Sequence, residues 1–381
     1  MKRILVDGCG GQIGTELVAH LRRLYGDANV MASDFKPQEG HSGPFSLLDV
    51  RDRAAIAALM DAFKPDTVMH LAGILSARGE TQPQALWETN MGGLYNILEV
   101  ARERRCAVFF PSSIAVFGPG TPADLTPQET IQRPTTIYGV SKVAGELLCN
   151  YYHLKYGLDV RGLRFPGLIS YEALPGGGTT DYAVHIYYAA RAQGRYTSYI
   201  GAGSYMDMMY MPDALDAVVR LMEADPARLR HRCAFNISAM SFDPEEIAAS
   251  IRKVLPDFKL DYDVDPVRQA IADSWPNSLD CSAAREEWGF APRYDLDAII
   301  LDRCRYDNLQ ADFSDDAKTK FQAYMKAKGV TSFAFPQDVA KAGSEGYAGQ
   351  PAYFKDWLAF RAKTIYDFMG KVRVCGASTA T

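Results

Sequence analysis

The chain has 381 residues, 48% of them hydrophobic and 23% charged, with a net charge of −5. Such a composition suits an ordinary globular protein of one large or two intimate domains. An acidic balance with no basic stripe argues against a nucleic-acid partner, and no apolar run is long enough to span a bilayer.

Strand and helix signals alternate from the start. Ile4 to Asp7 reads as a strand and Gln12 to Tyr25 as a helix; Asn29 to Ser33 is the next strand. Arg51 to Phe63 follows as a helix, Thr67 to Leu71 as a strand, and Pro83 to Arg105 as one long helix with Pro near its start. Ala107 to Pro111 is a strand, Ile137 to Tyr156 a helix, and Asp159 to Arg164 a strand. This rhythm predicts an α/β fold with a doubly wound parallel sheet of the Rossmann kind over residues 1–170. A helix at Pro212 to Glu223 and a strand at Cys233 to Ser238 are expected to return to that sheet. Residues 171–211 and 239–309 would form a smaller C-terminal lobe over the sheet's carboxyl edge, where open α/β sheets bind ligands.

Residues 310–381 form an extension in which lysines alternate with aromatics, too many aromatics for a purely disordered tail. Helices are expected there, Phe354 to Phe368 foremost. Because Met1 leads directly into the first strand, no leader is expected and a cytoplasmic location follows. The seven cysteines are scattered without a Cys-x-x-Cys pair, which also fits a reducing compartment. The six histidines are equally dispersed, and no metal-ligand spacing is seen.

The first strand runs into Gly8-Cys9-Gly10-Gly11-Gln12-Ile13-Gly14, which opens the first helix. Glycines there allow a tight turn and a close backbone approach to a pyrophosphate at a helix N-terminus. A lone glycine triad is weak evidence, but Asp34 stands at the end of the second strand, twenty residues beyond Gly14. Its carboxylate suits two ribose hydroxyls and repels a 2′-phosphate, so NAD is expected rather than NADP, with Lys36 nearby as the one opposing charge. Asp49 and Val50 follow another apolar segment and are candidates for the adenine. Asp49 serves equally well as an N-cap before Arg51.

The chemistry-bearing pattern is Tyr138-Gly139-Val140-Ser141-Lys142, with Ser113 twenty-five residues upstream. Residues four apart share a helix face, so the Lys142 ammonium can lower the Tyr138 phenol and make it a base near neutral pH. Ser113 would hold the oxygen undergoing redox. Tyr-x-x-x-Lys recurs at Tyr151/Lys155 and Tyr324/Lys328, but neither copy has an upstream hydroxyl at a strand end as Ser112 and Ser113 provide.

These residues resemble the extended short-chain dehydrogenase/reductase family. The glycine pattern, His70-Leu71-Ala72-Gly73, Asn90, Ser112-Ser113-Ile114-Ala115-Val116-Phe117-Gly118, Tyr138-x-x-x-Lys142 and Arg164-Phe165-Pro166-Gly167 fall in that family's order. Longer blocks are similar to the epimerase-like L-threonine 3-dehydrogenases. They include Ile131-Gln132-Arg133-Pro134, Pro175-Gly176-Gly177-Gly178-Thr179-Thr180-Asp181-Tyr182, Asn236-Ile237-Ser238-Ala239-Met240-Ser241-Phe242 and Arg268-Gln269-Ala270-Ile271-Ala272-Asp273-Ser274-Trp275-Pro276. The likeness covers roughly residues 1–309 and departs at Asp7, where the family usually has Thr, and at Met206-Asp207.

The resemblance implies oxidation of the L-threonine β-hydroxyl to 2-amino-3-ketobutyrate with NAD, Ser113, Tyr138 and Lys142 being catalytic. It assigns Gly8, Gly11, Gln12, Ile13, Gly14, Asp34, Asp49, Val50, Leu71, Ala72, Gly73, Asn90, Tyr138, Lys142 and Pro166 to the cofactor. Ser76, Ser112, Ser113, Tyr138, Thr179, Thr180 and Asp181 are assigned to the substrate, Asp181 by charge to its ammonium. Asn90 suits a helix kink that holds a relay water and suits polar packing equally well. A homodimer through the helix carrying Tyr138 and the long preceding helix is implied too, with Trp87, Leu94 and Leu147 serving that contact or the core. Eukaryotic proteins of this type are mitochondrial. Two rivals remain: a nucleotide-sugar epimerase on the same scaffold, and a non-catalytic NAD-binding protein.

Overall fold

In the computed structural model the described residues are 1–38, 43–170, 176–303, 315–327 and 330. All four residues of β1 (Ile4–Asp7) are buried, as are all four of β4 (Thr67–His70). A strand can be buried on both faces only if helices cover both sides of the sheet. The chain provides them in alternation: α1 (Gln12–Tyr25), β2 (Val30–Asp34), β3 (Phe45–Leu47), α2 (Arg53–Phe63), then β4. After β4 come α3 (Ser76–Thr81), α4 (Pro83–Trp87), a π-helical turn over Glu88–Gly92, α5 (Gly93–Arg104), β5 (Ala107–Ser113), α6 (Ile137–Tyr156), β6 (Val160–Phe165) and β7 (Gly167–Ile169). The remainder is α7 (Tyr182–Gln193), β8 (Arg195–Ser198), β9 (Met206–Tyr210), α8 (Met211–Glu223), β10 (Cys233–Asn236), β11 (Met240–Phe242), α9 (Pro244–Arg252), β12 (Lys259–Tyr262), α10 (Pro266–Asp273), α11 (Ser282–Trp288), α12 (Leu296–Arg303) and α13 (Asp315–Ala327).

The main sheet has seven strands in the order β3-β2-β1-β4-β5-β6-β10, every pair parallel. The chain winds outward through β2 and β3, then returns to β4 beside β1. The carboxyl ends of β1 and β4 therefore flank the switch point, where ligands bind in such sheets. Smaller sheets join β7 to β9 and β11, and β8 to β12. One core cluster includes Leu5, Ile56, Val68, Leu94, Ile97 and Val108. Each such side chain contributes about 1.5–3 kcal/mol on burial. Among the described residues no helix is long and apolar enough to cross a membrane.

Three expectations change. The helix expected from Arg51 starts at Arg53, because Asp52 caps it by accepting from the Ala55 N–H at 3.0 Å. The long helix expected over Pro83–Arg105 is interrupted by the π turn at Asn90. β5 continues two residues past Pro111. Its neighbour β4 is paired only as far as Phe109, so the ladder on that side makes no use of the N–H that Pro111 lacks.

Residues 1–297 make one compact unit and 298–381 a second. In the second, Phe321 and Met325 are buried one turn apart on α13, and Phe321 stacks on Tyr324 at 6.1 Å between ring centres. The helix expected over Phe354–Phe368 lies outside the described residues.

Candidate active site

The glycine loop is pressed between two strand ends. Gly8 has φ +63°, and a Cβ there would lie 2.6 Å from the Ala72 nitrogen. At Gly14 a Cβ would lie 2.3 Å from the Gly8 carbonyl oxygen. Only glycine fits either place. Gly11 precedes α1 without giving it a side-chain cap, and no acidic residue lies in its first turn. Its free N–H groups and positive dipole end are thus open to an anion. Asp34 is 7% exposed and accepts from the Gly10 N–H at 3.0 Å and the Lys36 N–H at 3.2 Å. These bonds aim the carboxylate across the loop and leave it lone pairs for ribose hydroxyls. Gln12 ties the start of α1 to β7 by donating to the Leu168 carbonyl at 3.4 Å, and Ile13 is half-buried beside it.

On the other side of the switch point, Leu71, Ala72 and Gly73 follow β4. Asp7 accepts from the Ala72 N–H at 2.7 Å and bonds His70 Nδ1 at 2.8 Å. Asn90 turns inward from the π turn, accepting from the Ile74 N–H at 2.8 Å and donating to the Ile74 carbonyl at 3.1 Å. π turns of this kind commonly mark functional positions in helices. Val50 is buried against Gly93. Asp49 does not cap α2: it accepts from the Arg51 N–H at 2.9 Å, and the Arg51 guanidinium beside it holds its carboxyl below the usual range.

The candidate reactive residues are placed by β5 and α6. Ser113 ends β5, and its hydroxyl accepts from the Ala115 N–H at 3.2 Å. Thr136 caps α6 by accepting from the Gly139 N–H at 3.0 Å, which puts Tyr138 in the first turn and Lys142 one turn on. Ser113 lies close enough to the Tyr138 hydroxyl to favour its ionised form. Burial pushes the Tyr138 phenol up to about 12, with the Ser113 hydroxyl acting against it. Burial thus opposes the lowering expected from Lys142. The Lys142 ammonium donates to the Pro111 carbonyl at 2.6 Å and lies over the Phe110 ring, 5.4 Å from the centre of the Tyr138 ring. Burial lowers Lys142 to about 8. Pro166 follows β6, whose last residue Phe165 pairs with Ser113.

Ser112 is corrected as a substrate residue. It points to the face opposite Ser113, is 2% exposed, and donates to Glu146. Glu146 in turn pairs with Arg164 at 2.8 Å, and Arg164 donates to Asn236 at 3.0 Å and the Gln128 carbonyl at 2.8 Å. Sequence reading missed this buried pair. The available signal was spacing: Tyr138, Lys142 and Glu146 recur every four residues on one helix face. Tyr151 of the second Tyr-x-x-x-Lys copy is half exposed and packs edge-on against Tyr156 at 5.9 Å.

The substrate candidates lie near one another. Gly176 abuts Leu75, directly before Ser76, which is 5% exposed at the start of α3. Asp181 accepts from the Gly177 and Gly178 N–H groups at 2.8 and 2.5 Å, which closes the glycine loop, and burial raises its carboxyl. The Thr179 hydroxyl is buried and has no hydrogen-bond partner among the described residues. Thr180 is half-buried beside Gly167.

The pattern of the NAD dependent epimerase/dehydratase family matches residues 4–238. An uncharacterised epimerase/dehydratase of Staphylococcus saprophyticus is 58% identical over 303 residues, 78% of this chain and 95% of the relative. The solved L-threonine dehydrogenase of Clostridium difficile is 57% identical with a TM-score of 0.79, over 80% of this chain and 96% of that one. A monomeric L-threonine 3-dehydrogenase from a metagenome is 42% identical with a TM-score of 0.77, over 79% of this chain and 97% of that one. A glycine loop that only glycines can build, set between Asp34 and a Ser–Tyr–Lys set, agrees with those matches. The chain belongs to the NAD-dependent epimerase/dehydratase family of extended short-chain dehydrogenase/reductases.

Proposed function

We propose that the protein oxidises the β-hydroxyl of L-threonine to 2-amino-3-ketobutyrate, a step of threonine catabolism. The supporting observation is 57% identity to an L-threonine dehydrogenase over 80% of the chain, and Ser113 at the end of β5 with Tyr138 and Lys142 on α6 are consistent with it. NAD, when bound, supplies the hydride acceptor. Gly8, Gly11, Gln12, Ile13 and Gly14 would hold its pyrophosphate, Asp34 its ribose, and Asp49 and Val50 its adenine. Leu71, Ala72, Gly73, Asn90 and Pro166 would line the nicotinamide side. Ser113 orients the substrate hydroxyl, and Tyr138 as phenolate takes its proton. Lys142 favours that phenolate by charge. Ser76, the Thr179 and Thr180 hydroxyls and the free Asp181 oxygen would hold the amino-acid end.

The test is NADH formation by purified protein with NAD and L-threonine, with NADP and a UDP-hexose as comparators. Threonine-dependent NADH with little signal from NADP is expected. The epimerase/dehydratase name of the Staphylococcus saprophyticus relative favours a second reading, a sugar-nucleotide substrate. Interconversion of the hexose without net NADH would establish that instead. Binding of NAD with no turnover of either substrate would leave a non-catalytic role.

A further inference from the structure

Alcohol oxidation frees one proton per turnover, and that proton must leave Tyr138 before the next hydroxyl can be deprotonated. Beside Lys142 lies a cavity lined by His70, Ala72, Asn90, Phe110, Ser141 and Lys142, with room for about one water molecule. Its polar lining gives such a water partners.

His70 is 3% exposed, and its register partner across the β1–β4 ladder is Asp7, 1% exposed. The Asp7 Oδ1 atom accepts from the Ala72 N–H at 2.7 Å, and its Oδ2 lies 2.8 Å from His70 Nδ1. A carboxylate only accepts, so Nδ1 carries the hydrogen, and Nε2 is left as the ring's basic nitrogen. An apolar pair would hold two strand ends together without the cost of burying polar groups, so strand pairing alone does not require these residues.

We propose that His70 is the terminal proton acceptor of the active site, reached from Lys142 through this cavity and held in its accepting tautomer by Asp7. The inference rests on the dehydrogenase reading above. As a Lys142 Nζ–H bond breaks to a cavity water, one O–H bond of that water breaks to Nε2, so the water is regenerated. Lys142 recovers its hydrogen from the Tyr138 side. The net change moves one proton from Tyr138 to His70, with no electron transfer, and leaves an imidazolium beside a carboxylate. His70 later returns the proton to bulk water by way of the cavity. Among the described residues, Lys142 shares the cavity with His70 and Asp7 bonds its ring. Cys9, near Asp7, is pushed up to about 12 by burial and Asp34, so its thiol stays neutral. In these terms His70 is a relay residue and Asp7 a positioning residue.

Asp7→Asn separates this role from a structural one. The new amide oxygen can still accept from Ala72, but its N–H donates to Nδ1 and forces the hydrogen onto Nε2, which can then no longer accept. Nitrogen-15 NMR of the histidine rings, with His70→Gln to identify the signal, should show hydrogen on Nδ1 in the wild type and on Nε2 in Asp7→Asn. With threonine, kcat should fall about tenfold in Asp7→Asn. The solvent isotope effect on kcat should be larger, while KM and NAD affinity stay within about twofold. Hydrogen on Nε2 in the wild type overturns the proposal. So does a wild-type kcat and isotope effect in the variant, or a loss confined to NAD affinity. If the wild type oxidises no threonine, the dehydrogenase reading fails on its own, and the tautomer still decides for or against an accepting His70.

Discussion

Tyr138→Phe removes the one oxygen that can act as base while keeping the ring that Lys142 overlies. Turnover should fall about a thousandfold with NAD affinity unchanged, as stopped-flow NADH formation and calorimetry would show. Near-full activity would remove Tyr138 from the chemistry. The pH profile follows from the same pair. Oxidation needs the phenolate, and the phenol sits well above neutrality, so kcat/KM should rise about tenfold per pH unit from pH 6. Lys142, lowered to about 8, loses its charge above that pH and with it the support for the phenolate. The rise should therefore flatten near pH 8, and in Lys142→Met that break should disappear. Gly14→Ala would set a methyl 2.3 Å from the Gly8 carbonyl. Displacing the loop costs about 1–3 kcal/mol, so NAD affinity should drop roughly tenfold or more by calorimetry.

At the scale of elements, α6 is fixed to the sheet by more than apolar packing. Glu146, 5% exposed, accepts from Ser112 on β5 and from Arg164 on β6. Glu146→Ala would leave the Arg164 guanidinium buried without its partner. Breaking such a pair costs about 3–5 kcal/mol. Urea unfolding should show that loss, and unchanged stability would mean that Arg164 finds water. The elements themselves were largely legible. α6 was read with its bounds from Ile137 to Tyr156, since Thr136 and Gly157 supply ordinary cap chemistry. A kink at Asn90 was legible too, but not its π form, which goes with the clamp to Ile74, sixteen residues away in sequence. The end of β5 was misread for a similar reason: whether Pro111 interrupts a ladder depends on which neighbour is still paired there.

For the whole molecule, the structure separates residues that sequence could not. Leu94 is fully buried, whereas Trp87 is 44% and Leu147 63% exposed, next to exposed Val140, Tyr151 and Leu154. We expect this apolar face on α4 and α6 to pair with a second copy of the chain. Light scattering should report a dimer for the wild type and a monomer for Leu147→Asp with intact NAD binding. A monomeric wild type would match the metagenome protein instead. By itself the sequence determined the parallel sheet, and it singled out the glycine loop with Asp34 and the Ser113, Tyr138 and Lys142 set as candidates. Those depend on local signals: hydrophobic period, turn residues and fixed spacing along one helix. Tertiary structure alone decided that Ser112 serves Glu146 rather than the cleft, and that Asp181 closes its own loop through Gly177 and Gly178. It also decided how deeply the Tyr138 phenol is buried, which raises it, and that Asp7 meets His70. Each depends on which groups from distant segments share a desolvated space, and no local pattern encodes that.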